Sequence, residues 1–340
     1  MNDNSNLFPA SMSRRTAMGM IGTASLGVAL GGLPFLEDQS VSDALPKLLP
    51  KFTEKSRAIL RRLLADPNYS GRIPASDATA LARNESASVE KLMVDLLPLA
   101  QNYSQAPISN FHVGVVVRGA SGSLYTGANI EIPGQCLGFA VHAEQSALSN
   151  AYMHVEQAVI ALAVGGAPCG HCRQFINEMA PDGEIQILTP QKPPMKLSVL
   201  LPDAFGPAAL GMLHGAFPVK TNDLLLTSNP TDPLTMVALD AARKAYAPYS
   251  KSPAGVAIQS TKGRSYKGSY MENVAFNPSL SPFQVALAAM IAAGEPYSNV
   301  SAVTLVEVPG AKITQQPVTE AVLAAIAPKI KLTVAAAQAS

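Results

Sequence analysis

Two short motifs in the middle of the chain combine residue types that suit metal chemistry. The triplet His-Ala-Glu at 142–144 is followed, after a strand-like run, by Pro-Cys-Gly-His-Cys at 168–172. Zinc prefers nitrogen and sulfur ligands in a tetrahedral arrangement, and a catalytic zinc site uses three protein ligands and leaves the fourth position open. His142, Cys169 and Cys172 supply three such ligands. We therefore predict one zinc ion per subunit, bound by these side chains.

Glu144 lies beside these ligands without being needed as one of them. Its carboxylate can take a proton from an attacking water molecule and deliver it to a ring nitrogen and a leaving amine, general acid–base work worth roughly 10²–10⁴-fold in rate. The two cysteines are spaced i, i+3, so on a helix both sulfurs share one face, and the helix N-terminus stabilises their thiolates. Arg173 would also partly neutralise the two thiolates, or it is a solvated helix residue.

Each half of this pattern has another interpretation. Cys-Gly-His-Cys alone is also the redox motif of disulfide isomerases. Such a centre does not need an upstream His-x-Glu, and it usually follows a Trp, which this chain lacks. A closed structural zinc site would need a fourth ligand, for which Cys136 or His171 is available. Cys136 is most simply interpreted as a small buried residue.

Length and composition narrow the class of protein. A chain of 340 residues suits two domains, and three cysteines crowded into positions 136–172 do not form a disulfide framework. The net charge is +1 and only 14% of residues are charged. No broad basic field is available to hold a polyanion, so we expect a small-molecule substrate and no nucleic acid.

The N-terminal residues resemble an export signal. Arg14 and Arg15 precede a weakly apolar, glycine-rich run at 17–33, as in a twin-arginine leader. The run is too weakly apolar for a stable membrane span. The alternative is a disordered or helical extension of a cytoplasmic protein. We assign residues 1–36 to this leader-like segment and 37–87 to a small helical segment.

The two motifs fall within a regular succession of predicted elements. Ser88 is expected to cap a helix that ends near Tyr103, and strands are expected at 111–117 and 124–126. A helix at 143–153, a strand at 158–164, a helix after Pro168 and a strand at 184–188 follow. The order β-β-α-β-α-β predicts a three-layer α/β/α domain with a mixed sheet, at 88–208, with both ligand sets at helix N-termini.

The second half of the chain repeats the first. Ala-Pro-x-Ser at 106–109 recurs at 247–250, and Gly127…Glu131 recurs as Gly268…Glu272 at the same offset. At that offset the His-Ala-Glu triplet is replaced by Phe-Gln-Val at 283–285, and no cysteine follows Cys172. We predict a linker at 209–226 and, at 227–340, a second copy of the fold that lacks the zinc site and has a structural or interface role.

The chain resembles the homodimeric, two-domain bacterial cytidine deaminases, a family of zinc-dependent hydrolases. The likeness rests on the two motifs, whose order matches the zinc deaminase signature, and on the blocks at 141–147, 168–175, 201–207 and 248–253. The resemblance implies hydrolysis of cytidine or 2′-deoxycytidine to uridine or 2′-deoxyuridine with release of ammonia. Such a pyrimidine salvage enzyme would be cytoplasmic, unless the leader directs export.

The resemblance also implies a nucleoside pocket. Phe111 and Phe205 would pack against the pyrimidine, and Asn129 and Glu131 would hold the ribose 3′-hydroxyl. The partner subunit's second domain would complete the pocket of the homodimer with two residues, Ala275 and Phe276. Two other functions share the signature or the metal: a polynucleotide-editing deaminase, and a catalytically inactive, zinc-stabilised interaction module.

Overall fold

Two mixed β-sheets organise the part of the chain that this computed structural model describes, residues 49–229 and 232–339. The predicted leader with Arg14 and Arg15, and the start of the predicted helical segment, lie outside these residues. Among the described helices, none combines the length and apolar character needed to cross a membrane.

The first sheet contains the strand pair that leads to the His-Ala-Glu motif. Its strands are β1 (Arg72–Ile73), β2 (Gly114–Gly119), β3 (Leu124–Ala128), β4 (Val159–Val164), β5 (Gln186–Leu188) and β6 (Met195–Lys196). They lie in the order β1-β3-β2-β4-β5-β6. The β4–β5 pair is parallel and the other pairs are antiparallel, so the sheet is mixed as predicted.

Seven α-helices accompany this sheet in the described part of the first half. They are α1 (Glu54–Ala65), α2 (Ala75–Asn84), α3 (Val89–Asp95), α4 (Leu97–Gln101), α5 (Ala143–Met153), α6 (Gly170–Met179) and α7 (Leu197–Leu200). Ser88 caps α3 as predicted, because its hydroxyl accepts a hydrogen bond from the Lys91 amide at 3.2 Å. The single helix to Tyr103 is wrong: the helix divides at Leu96, because Pro98 has no amide hydrogen for the helical ladder.

The predicted strand at 111–117 begins three residues late, at Gly114. The Asn129 side chain binds the backbone there: its oxygen accepts from the Val113 amide at 2.8 Å, and its nitrogen donates to the Phe111 carbonyl at 2.9 Å. A side chain, and not a neighbouring strand, therefore satisfies these backbone groups. Phe111 consequently lies in a loop before the strand.

The second sheet repeats the core of the first. Its strands are β7 (Leu224–Leu226), β8 (Ala254–Ser260), β9 (Ser265–Ser269), β10 (Val300–Glu307) and β11 (Leu332–Ala339), with helices α8 (Pro233–Arg243), α9 (Pro282–Ala292) and α10 (Gln316–Ile326). The order β9-β8-β10-β11 matches β3-β2-β4-β5, which confirms the duplicated α/β fold. The stretch expected to be a linker, 209–226, contains β7 and the buried Phe217.

The structure corrects the register of the second copy. Ile130 pairs with Val141 in the first half, and the equivalent Met271 pairs with Leu280. The intervening loop is therefore two residues shorter in the second half. The helix N-caps follow the same shift, from His142 to Ser281, so the triplet equivalent to His-Ala-Glu is Ser-Pro-Phe at 281–283 and not the predicted 283–285. None of its side chains is a usual zinc ligand.

The glycines shared by the two halves mark places where a helix backbone touches the sheet. A Cβ added to Gly127 would lie 2.1 Å from the amide nitrogen of Ala147 in α5, and one added to Gly268 would lie 2.2 Å from the carbonyl oxygen of Pro282 in α9. Neither neighbour can move without displacing its helix. The repeated glycines therefore record a packing requirement of the fold.

This packing predicts that Gly127→Ala destabilises the protein. Overpacking of a tight contact costs about 1–3 kcal/mol, so we expect the free energy of unfolding in urea to fall by about that amount. Gly165→Ala is the matched control, because a Cβ there meets nothing within 4 Å. Equal stability of the two variants would contradict this account of the helix-to-sheet contact.

Candidate metal and substrate site

The structure brings the three predicted zinc ligands together. The Sγ atoms of Cys169 and Cys172 are 3.5 Å apart, and they lie 3.5 and 3.2 Å from Nδ1 of His142. A tetrahedral zinc ion with its usual bond lengths would separate such ligand atoms by about 3.6–3.8 Å. The donor atoms thus surround a space of the size that one zinc ion needs.

Helix N-termini set these positions, as the sequence predicted. His142 is the N-cap of α5, and its backbone amide donates to Oε1 of Gln145 at 3.2 Å. Cys169 is the N-cap of α6, and its sulfur accepts from the amide of Cys172 at 3.4 Å. The partial positive charges of both helix ends are therefore directed at the cluster.

The charges of the cluster favour a bound cation. Burial raises the pKa of the Cys172 thiol well above its usual range, and the neighbouring Glu144 and Cys169 raise it further. A divalent metal deprotonates a coordinating thiol because it supplies the missing positive charge. Glu144 lies in the first turn of α5, is 6% exposed and hydrogen-bonds Cys172. The donor set fits zinc, with a carboxylate beside it.

Neither residue proposed as a fourth ligand joins the cluster. The described residues place only His142, Cys169 and Cys172 in this metal-ligand group. Cys136 is exposed, so its interpretation as a buried residue is wrong. The ring of His171 lies tilted against that of His142 with centroids 5.2 Å apart, and burial lowers the pKa of His171. The geometry favours a three-ligand site over a closed one.

Arg173 has a role that neither earlier interpretation described. Its Nε donates to the carbonyl of Pro168 at 2.9 Å, and its Nη1 donates to the carbonyl of Leu200 at 2.8 Å. The guanidinium therefore holds the turn that precedes Cys169 against the end of α7. Arg173 therefore stabilises the turn before Cys169 through two backbone carbonyls, and neither of these partners is a thiolate.

The residues predicted to bind the nucleoside include two exposed aromatic side chains. Phe111 is 70% exposed, and Phe205 is half exposed. Glu131 accepts hydrogen bonds from the amides of Ile108 and Ser109 and from the hydroxyl of Ser109, at 2.5–2.9 Å. Burial opposes ionisation of Glu131, but these hydrogen bonds lower its pKa overall. Asn129 and Glu131 thus hold the loop that carries Phe111.

The loop at 273–279 of the second half lies against the helices that carry the cluster. Asn273 donates to the carbonyl of Gln174 at 3.0 Å, and Gln145 donates to the carbonyl of Pro278 at 3.1 Å. Ala275 and Phe276 are exposed on this loop. The family resemblance implied that these two residues belong to the partner's site. The contacts described here are within one chain, and their contribution to a partner stays a prediction.

A buried carboxylate joins the same loop to α6. Glu178 is fully buried and accepts hydrogen bonds from the hydroxyls of Tyr246 and Tyr249 at 2.7 and 2.6 Å, and from the amide of Val274 at 2.8 Å. Burial raises its pKa although the hydrogen bonds oppose the shift. The helix that carries Cys172 is therefore tied to the second half.

Sequence reasoning missed several residues that join the two halves, among them Gln145, Glu178 and Gln284, whose Nε2 donates to the carbonyl of Phe139 at 3.0 Å. One signal was present: Ser-x-x-Gln at 281–284 is a capping box, a pattern that marks a helix start. It would have placed the N-cap of α9 at Ser281 and revealed the shorter loop. Nothing in the sequence identifies the partners of Glu178.

The chain is similar to known proteins. Family models described as the cytidine and deoxycytidylate deaminase zinc-binding region match residues 87–188 and 197–320. The cytidine deaminase of Vibrio atlanticus (strain LGP32) is 41% identical over 277 residues, which cover 82% of this chain and 93% of that protein. That of Shewanella pealeana (strain ATCC 700345 / ANG-SQ1) is 39% identical over 267 residues, covering 78% and 89%. A solved cytidine deaminase from Mycobacterium tuberculosis aligns at 30% identity with a TM-score of 0.32, covering 34% of this chain and 96% of that one.

Proposed function

The chain belongs to the cytidine and deoxycytidylate deaminase family, and we propose that it hydrolyses cytidine and 2′-deoxycytidine to uridine and 2′-deoxyuridine with release of ammonia. The observation that carries the proposal is the cluster of His142, Cys169 and Cys172 beside the buried carboxylate of Glu144. Zinc held by these ligands would act as a Lewis acid that makes a water molecule nucleophilic at neutral pH.

Glu144 is the general base and then the general acid. Its carboxylate takes a proton from the attacking water and passes it to N3 of the pyrimidine as the C4–O bond forms. It then carries the second proton of that water to the exocyclic nitrogen as the C4–N bond breaks and ammonia leaves. The carboxylate returns to its starting state. Because Glu144 is buried, its surroundings screen charge poorly, and its hydrogen bonds to the water and to the base are stronger than they would be in solvent.

The proposed pocket uses aromatic faces for the base and polar groups for the sugar. Phe111 and Phe205 expose rings that can stack on a pyrimidine. Glu131 accepts three hydrogen bonds from the chain, whereas a carboxylate has about four acceptor sites. The Asn129 amide has two hydrogens, and Phe111 uses one. Each residue thus keeps one position for a ribose hydroxyl.

The substrate class is tested by comparing nucleosides with a strand. A net charge of +1 gives poor support for the electropositive track that a polynucleotide needs. We expect ammonia release from cytidine and 2′-deoxycytidine, and none above background from a cytosine-containing single-stranded oligonucleotide. Faster release from the oligonucleotide than from the nucleosides would overturn the proposal in favour of polynucleotide editing.

We further propose a homodimer in which Ala275 and Phe276 of the partner subunit complete each pocket. Phe276 is 67% exposed, and its backbone adopts the left-handed conformation, with φ of 63°. Phe276→Ala is expected to lower kcat/KM for cytidine about tenfold, the scale of one aromatic contact. Leu213→Ala, which truncates another exposed apolar side chain, is the control. Normal kinetics in Phe276→Ala would contradict a pocket role.

Mixed dimers separate a contribution from the partner from one within the chain. In a dimer of one Glu144→Gln subunit and one Phe276→Ala subunit, the only site with an active carboxylate lies on the Phe276→Ala subunit. A partner contribution supplies that site with an intact Phe276, so half of the wild-type activity per dimer is expected. About half of the activity of the Phe276→Ala homodimer would show that Phe276 acts within its own chain, because the mixed dimer has one active carboxylate and the homodimer has two.

A further inference from the structure

Two buried glutamines occupy equivalent places in the two halves and reach across to the opposite half. Gln145 is the third residue of α5 and Gln284 the third residue of α9, and they are 2% and 5% exposed. Nε2 of Gln145 donates to the carbonyl of Pro278 at 3.1 Å, and Nε2 of Gln284 donates to the carbonyl of Phe139 at 3.0 Å. The two acceptors are as far apart in sequence as the two donors, so the contacts are related by the duplication.

Each glutamine also caps its own helix. Oε1 of Gln145 accepts from the amide of His142 at 3.2 Å, and Oε1 of Gln284 accepts from the amide of Ser281 at 3.1 Å. In the first half this bond fixes the backbone of a zinc ligand. In the second half the capped residue carries no ligand, so the capping bond alone gives Gln284 no part in the chemistry.

The acceptor of Gln284 lies on the segment that leads to His142. Residues 136–140 contain a short 3₁₀ helix, Leu137–Phe139, and reach His142 through Val141, which pairs with Ile130. Cys136 and Leu137 are exposed. Within the described chain, the bond from Gln284 is the hydrogen bond that ties the backbone of this segment to the second half.

We propose that Gln284, in the half without ligands, is a positioning residue for the zinc ligand His142. It fixes the Phe139 carbonyl three residues before the ligand, while Gln145 fixes the ligand's own amide. Outer groups that orient metal ligands typically change metal affinity by about 10–100-fold when they are removed. The second half thereby contributes to the zinc site without holding zinc, an inference that deepens the function proposed above.

The test measures zinc affinity directly, in the full chain. Gln284→Leu removes the donor at similar volume, and Gln284→Glu keeps an acceptor for the Ser281 amide but has no amide hydrogens to donate. Both are expected to bind Zn²⁺ about tenfold more weakly in competition with a chromogenic chelator. Both should also alter the visible absorption spectrum of the Co²⁺-substituted protein. The Glu variant retains the helix cap, which keeps the test valid if Gln284→Leu fails to fold.

Ser281→Ala is the matched control. It removes the hydroxyl that accepts from the backbone amide of Gln284 at 3.3 Å, and so it weakens the same helix end. The side-chain amide of Gln284, which donates to Phe139, stays in place. Unchanged Zn²⁺ affinity in the Gln284 variants, or an equal loss in Ser281→Ala, would overturn the inference. The zinc measurement uses no substrate, so the two proposals can fail separately. If the Gln284 variants bound zinc more weakly but the wild-type chain never deaminated cytidine, the proposed function would be refuted and this inference would stand.

Discussion

Glu144→Gln is expected to lower kcat for cytidine by about 10³-fold or more while one zinc ion per chain stays bound. The amide keeps the size of the side chain but cannot take a proton from water or deliver it to the base, and both steps of the reaction need that transfer. Glu144 lies outside the three-ligand group, so its replacement leaves the metal ligands in place. Ammonia release and metal content, measured on one preparation, check both halves of the prediction.

Glu156→Gln is the matched control for that variant. Glu156 is another buried carboxylate of the first half, and it accepts hydrogen bonds from the hydroxyls of Tyr125 and Ser121 at 3.0 and 2.6 Å. Its replacement should affect stability and leave turnover per folded molecule near that of the wild type. Near-normal turnover in Glu144→Gln would remove this residue from the mechanism.

Cys172→Ala is expected to lose both the zinc and the activity. Cys172 is fully buried, and its sulfur lies 3.2 Å from Nδ1 of His142. Two remaining ligands cannot hold zinc against a chelator, so deamination of cytidine should fall more than about 10³-fold. Because a bound metal stabilises the folded state, the variant should also unfold at a lower temperature, and its thermal transition should no longer respond to added Zn²⁺.

Cys136→Ala is the control for this loss, because Cys136 is exposed and outside the ligand group. It should bind one zinc ion with wild-type affinity. Loss of zinc in Cys136→Ala would instead indicate a closed four-ligand site. A thiol–disulfide exchange activity that resisted chelators and depended on a disulfide between Cys169 and Cys172 would favour the redox interpretation.

Comparison of the two halves shows why the sequence predicted the chemistry well. Some features present in both halves support the fold: Glu131 and Glu272 both accept backbone amides of an equivalent turn, and the Tyr125–Glu156 hydrogen bond recurs as Tyr266–Glu295. The three predicted zinc ligands are present in the first half alone. The zinc ligands are conspicuous in the sequence because the start of a packed helix does not need them. The helix α9 begins at Ser281, which is not a zinc ligand.

Other parts of the site could not be predicted from the sequence, because they depend on loop length and on contacts between the halves. A two-residue difference in one loop displaced the predicted second triplet, since a constant offset assumes equal loops. The side chain of Asn129, and not strand pairing, holds the backbone around Phe111. Arg173 binds two carbonyls that are far apart in sequence, which local pattern cannot indicate.

An ultraviolet assay of the purified chain tests the central claim most directly. Cytidine, 2′-deoxycytidine, cytosine and adenosine are each followed before zinc removal, after it, and after Zn²⁺ is restored. We predict an absorbance change with the two cytosine nucleosides alone, its loss with the metal and its return with Zn²⁺. Full activity without zinc, or stoichiometric zinc with no change in cytidine absorbance, would contradict the account.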